Sequence, residues 1–106
     1  MAVTEPAVDS HGHLLDLRLW TPDVAAWLAE REGILLTRAH WEVIRLVQQF
    51  HRDTGVVPAM RPLVKLVREA LGDGKGSSLH LLGLFPGSPA RIVAKLAGLP
   101  RPSNCL

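Results

Sequence analysis

The stretch TRAHWEVIRLVQQFHRDTG, residues 37–55, decides the fold class. Thr37 supplies a helix-capping hydroxyl and Gly55 a stop. Between them Trp41, Ile44, Val47 and Phe50, joined by Val43 and Leu46, recur at helical spacing and give a wide apolar face. The code upstream is the same. Thr21-Pro22-Asp23 offers a cap, a proline at the first helical position and an acidic first turn. Val24, Trp27, Leu28 and Arg31 then share a stripe, and Gly33 closes it. Downstream, a third helix is predicted from Pro62 to Leu71 with Leu63, Leu66, Val67 and Ala70 inward. After the loop 72–76, the run SLHLLGLF (78–85) is ambiguous between strand and helix, and its helical neighbours favour a short buried helix. Ser88-Pro89 starts a last helix through Ala97, closed by Gly98. Before all of these, AVDSHGHLLD (7–16) alternates on either side of a turn glycine and reads as a small hairpin.

The predicted architecture is therefore mainly α with a small β-hairpin. The chain has 106 residues, enough for one core and too few for two. Residues 1–6 carry no pattern and read as a disordered N-terminus, residues 7–98 as the single domain, and residues 99–106 as a flexible arm. No apolar run approaches the ~20 residues of a membrane helix. The start MAVTEPAVDSHG lacks the basic and apolar regions of a signal peptide. Both point to the cytoplasm. Twelve Lys+Arg against ten Asp+Glu leave +2, which permits an acidic partner without demanding one.

One cysteine excludes an internal disulfide framework and any metal site built on several thiolates. It is Cys105, in the segment LPRPSNCL (99–106), where Pro100 and Pro102 forbid a helix and favour extended backbone. A lone cysteine is most often a buried core residue. This one stands at the end of a stiff arm that spans about 25 Å when extended at ~3.3 Å per residue. A thiol so placed can visit one partner and then another. Its reactive form is the thiolate. The carboxylate one residue on disfavours that form, so activation falls to a partner's site or to nearby Arg91, Lys95 and Arg101.

Other chemistry is weakly signalled. Ser77, Ser78, Ser88 and Ser103 lack a nucleophile-elbow context. His11-x-His13 could seed a metal site, but no third ligand stands nearby, so no metal or other cofactor is expected. Gly72-x-Gly74-x-Gly76 lacks the strand of a dinucleotide loop and reads as a surface turn. Trp20, Trp27 and Trp41 read as core or staple residues. Arg61, Lys65 and Arg68 share one helix face, ordinarily just solvated, and Arg61, Lys65 and Arg101 are the candidate docking residues for a partner.

Several stretches together resemble the DsrC/TusE family of sulfur-carrier proteins from Val8 onward. They are VDSHGHLLD, Trp20, the helix ending in Glu32-Gly33, Thr37-x-x-His40-Trp41, Pro58-x-x-Arg61-x-x-x-Lys65, Leu84-Phe85-Pro86 and, most specifically, AGLPRPSNCL. The resemblance implies a hairpin packed on an orthogonal bundle of about five helices, with Cys105 at the tip of a flexible arm holding sulfur as a persulfide. Members that serve dissimilatory sulfite reductase carry a second cysteine where this chain has Ala94. The single-cysteine pattern is the TusE-like one. It implies a sulfurtransferase that acts by persulfide transfer, a carrier more than a stand-alone enzyme. The implied donor is a TusBCD-type complex. The implied recipient is a tRNA-thiolating enzyme, alone or with tRNA bound, that makes wobble 2-thiouridine, and the carrier itself is expected to be a monomer. Ser88 stands where the family usually has glycine. Two competing readings remain at this point: a DsrC-like partner of a sulfite reductase or sulfur-oxidation pathway, and a winged-helix-like module that binds DNA without using Cys105.

Overall fold

The structure, a computed structural model, describes residues 6–102. A 3₁₀ turn at Leu17–Leu19 precedes five helices: α1 (Pro22–Arg31), α2 (Arg38–Thr54), α3 (Met60–Leu71), α4 (Ser78–Leu84) and α5 (Pro89–Leu96). The chain is mainly helical, as the periodicity predicts. In place of hairpin strands there is one antiparallel bridge, Val8 to Leu14, and no longer strand forms among the described residues. The turn is held by the Asp9 carboxylate, which accepts the backbone N–H groups of His11 and His13 at 2.8 and 3.0 Å. Those two bonds hold the Asp9 carboxyl below its usual range.

The caps of α1 and α2 form where the sequence places them, whereas Ser88, at the start of α5, makes no side-chain cap bond. Thr21 Oγ1 accepts from Val24 N–H at 3.1 Å, and Pro22 and Pro89 stand in the first turns of α1 and α5. At α2 the reciprocal partner of Thr37 is a histidine: His40 Nδ1 accepts from Thr37 N–H at 3.1 Å. The other ring nitrogen of His40 donates to the Leu84 carbonyl at 2.8 Å, tying the start of α2 to the end of α4. Helix α3 begins at Met60, two residues before the predicted start, because proline is tolerated within a first turn that makes no intrahelical N–H bond. Ala70, predicted inward, is exposed; α3 buries only Leu63 and Val67 fully.

Helix α5 is the centre of the molecule and packs against each of α1, α2, α3 and α4. Pro89, Ala90, Ile92, Val93, Ala94 and Leu96 are all buried, so only Arg91 and Lys95 break its apolar circumference. A helix apolar nearly all round has no solvent face and belongs inside. Val43, Ile44 and Val47 from α2, Leu28 from α1, Leu63 and Val67 from α3, and Leu81 and Phe85 around α4 surround it. The arm leaves from the C-terminus of this central helix.

Candidate functional site

The end of α5 is closed by a paired-bond glycine cap. Gly98, at φ +73°, donates to the Lys95 carbonyl at 3.2 Å, and Leu99 N–H donates to the Ala94 carbonyl at 2.9 Å. Three side chains from distant parts of the chain bond the next carbonyls. Trp20 Nε1 donates to the Leu96 carbonyl at 2.8 Å, and Gln48 Nε2 to the Ala97 carbonyl at 3.0 Å. His13 Nδ1 meets the Leu99 carbonyl at 3.3 Å, so that nitrogen carries the proton. Arg45 completes the frame: its guanidinium lies 5.5 Å from the Trp20 ring and 5.1 Å from the Trp41 ring and bonds Gln48 Oε1 at 3.2 Å. The root of the arm is thereby fixed. Leu99 is in the core and Pro102 is buried.

A cavity of about 220 Å³ opens beside this root, between the 9–13 turn and α5. His11, His13, Arg91, Lys95 and Arg101 line it, with Glu32 as the one carboxylate among its lining residues. Lys95 Nζ reaches Glu32 at 3.3 Å. Burial pushes the His13 imidazole below its ordinary pKa, with the Lys95 and Arg101 charges acting in the same direction. The bond to Leu99 and the Asp9 carboxylate oppose them. His13 is thus neutral at pH 7, and protonating it costs stability. The unfolded chain binds more protons than the folded one between the folded-state pKa and about 6.5, so stability rises with pH across that window. We expect denaturation midpoints to fall as pH is lowered through 6.5, and His13→Gln to flatten that part of the profile.

Gln48 offers a second test. It is buried, and Gln48→Leu leaves the Ala97 carbonyl without its donor. A loss of about 1–3 kcal/mol is expected by urea denaturation. A change below the error of that measurement would show that the bond carries nothing.

The structure brings Arg101, Arg91 and Lys95 together around one cavity. Arg61 and Lys65 are elsewhere, exposed on α3, where Lys65 faces Glu69 at 4.0 Å; neither lines the cavity. Cys105 lies outside the described residues, as do its neighbours in 103–106, the distal half of the arm. Ala94 is fully buried. Among the described residues no group of three or more His, Cys, Asp or Glu side chains could hold a metal. His13 serves the arm root, a role not visible in the sequence because its partner lies 86 residues away. Glu32 was missed likewise. No described helix is long and apolar enough to cross a membrane.

Comparison with known proteins agrees with this geometry. The model of the family described as DsrC like protein matches residues 1–106. The chain is 45% identical over 100 residues to the sulfurtransferase TusE of Pectobacterium atrosepticum, covering 94% of this chain and 92% of that protein. It is 47% identical over 102 residues to the sulfurtransferase TusE homolog of Haemophilus influenzae, covering 96% and 94%. Among solved structures, Allochromatium vinosum DsrC superposes with a TM-score of 0.84 at 38% identity over 93% of this chain and 88% of that one. The oxidized γ-subunit of dissimilatory sulfite reductase (DsrC) from Archaeoglobus fulgidus gives 0.80 at 32% identity, over 95% and 92%. A family model spanning every residue and relatives aligned almost end to end leave one conclusion, that this chain belongs to the DsrC-like family.

Proposed function

We propose that the protein is a sulfur-relay carrier that holds a persulfide on Cys105. The observation that supports this most directly is the docked arm root: the chain is anchored through Pro102, and Cys105 stands three residues beyond that anchor, within about 10 Å of it at ~3.3 Å per residue. In the transfer step the Cys105 thiolate attacks the outer sulfur of a donor's persulfide. The donor's S–S bond breaks, its inner sulfur leaves as a thiolate, and Cys105 becomes the persulfide. Electrons balance within the exchange, with no external oxidant. Ala94 offers no thiol to attack that persulfide from within the chain, so the sulfur waits for a recipient. In this reading 7–98 is the scaffold and 99–106 the delivering arm. The Val8–Leu14 bridge stands for the family's N-terminal hairpin and the helices for its orthogonal bundle.

The similarity to proteins named sulfurtransferase TusE favours tRNA wobble-uridine 2-thiolation as the destination. The donor would be a TusBCD-type complex and the recipient a tRNA-thiolating enzyme in the cytoplasm, with the carrier itself a monomer. Arg61, Lys65 and Arg101 are the docking residues of this reading. The test is intact mass after incubation with a persulfide donor. We expect wild type to gain one sulfur that a thiol reductant removes, and Cys105→Ser to gain none. Sulfur on the serine variant would sink the carrier. A winged-helix reading is less favoured, since one bridge builds no wing among the described residues.

A further inference from the structure

We propose that the cationic cavity beside the arm root is a clasp for the loaded tip: it holds the persulfide anion of Cys105 more tightly than the unloaded thiol. The proposal rests on the carrier reading and adds to it a state in which the cargo is held between donor and recipient. Three observations carry it. Among the described residues the cavity is lined by Arg91, Lys95 and Arg101 with Glu32 as the one carboxylate, so its described lining carries more positive than negative charge. Arg101 is itself an arm residue, and Pro102 after it is buried, so the described chain ends against the body at the cavity's rim. The remaining distance to Cys105 is at most about 10 Å, which brings the tip within reach of the cavity if the chain turns back.

The chemistry supplies the selectivity. A hydropersulfide is a stronger acid than the thiol it comes from, so at neutral pH loading adds one negative charge to the tip, which the mostly neutral thiol of unloaded Cys105 lacks. Cations therefore hold the loaded tip more tightly than the unloaded one. The neutral His13 ring, its Nδ1–H committed to the Leu99 carbonyl, adds a polar wall without a competing charge. His11 stands at the exposed edge of the same cavity. The cavity's 220 Å³ is several times the ~30 Å³ of a water molecule, room for a sulfur pair with solvent.

The single thiol permits a clean test, because one alkylation marks one site. Iodoacetate makes an anionic carboxymethyl tip, and iodoacetamide makes its neutral isostere. We expect the amide resonances of His11, His13, Lys95 and Arg101 to differ between the two adducts while those of Arg61 and Lys65 coincide. Added salt should shrink the difference, and Arg101→Gln, a change at an exposed residue, should abolish it. Superimposable spectra, or a difference that Arg101→Gln leaves intact, would overturn the clasp. Thiosulfate titrated into Cys105→Ser tests a free anion as occupant: shifts at the same residues, with no difference between the adducts, would reassign the cavity away from the tip. Neither adduct can accept sulfur, so this result stands apart from the mass experiment, whose failure would remove the carrier and not the anion site.

Discussion

Gly98→Ala lowers the stability of the protein by about 2–5 kcal/mol, the sum of two separate costs. At φ +73° an L-residue is strained by roughly 1–2 kcal/mol. The added Cβ also overlaps Cδ1, Cγ and Cβ of Trp20, whose indole is held in place by its bond to the Leu96 carbonyl. Forcing a packed ring aside costs about 1–3 kcal/mol more. Gly33→Ala is the control, since Gly33 has the same φ of +73° with nothing within 4 Å of its Cβ position. The difference between the two variants isolates the Trp20 contact. Set against a total of about 5–15 kcal/mol, the Gly98 change should lower Tm by more than about 10 °C. Equal Tm values for the two variants would show that the ring moves freely.

The second large effect is expected at Gly76. A Cβ there overlaps the Cα, Cβ and backbone nitrogen of Arg68, so backbone meets backbone and no rotamer change can relieve it. The loop must lift from α3, at a cost of about 3 kcal/mol. Gly74→Ala, with nothing within 4 Å, should be nearly silent. A second readout separates local lifting from general softening. Lys75 Nζ bonds Glu42 at 2.8 Å, and that bond, first among the causes, holds the Glu42 carboxyl below its usual range. If the loop lifts, the Glu42 pKa returns upward. A carboxyl that titrates unchanged in Gly76→Ala would mean that the loop has stayed in place.

The helices were legible because their signals are local. A cap, a following proline, an apolar stripe and a closing glycine sit within a few residues of each other at α1 and α5. Even the short α4, where period alone is ambiguous, follows from its neighbours as a helix, but it is not the buried helix expected: of its residues only Leu81 is buried, and Leu79 and Leu82 are exposed. The start of α3 was misplaced because proline permits several first-turn positions. The hairpin is over-read because alternation around Gly12 specifies a turn, whereas the Val8–Leu14 bridge is the only strand pairing among the described residues. Arg91, Lys95 and Arg101 could be named as one neighbourhood because they bracket the same helix end. The bonds that fix the arm root could not, since Trp20, Gln48 and His13 reach Leu96, Ala97 and Leu99 across 76, 49 and 86 residues. No period or spacing encodes such a meeting.

Those three bonds also separate address from delivery. Trp20 precedes α1, Gln48 belongs to α2 and His13 to the N-terminal turn, so the direction in which the chain leaves α5 is set by the frame of the whole domain. A partner that grips any face of the bundle therefore already knows where the arm begins and which way it points. In the carrier reading proposed above, recognition can evolve on a remote helix face while the exit of the chain from α5 keeps one direction, so that successive partners can meet the same exit without sharing a single contact.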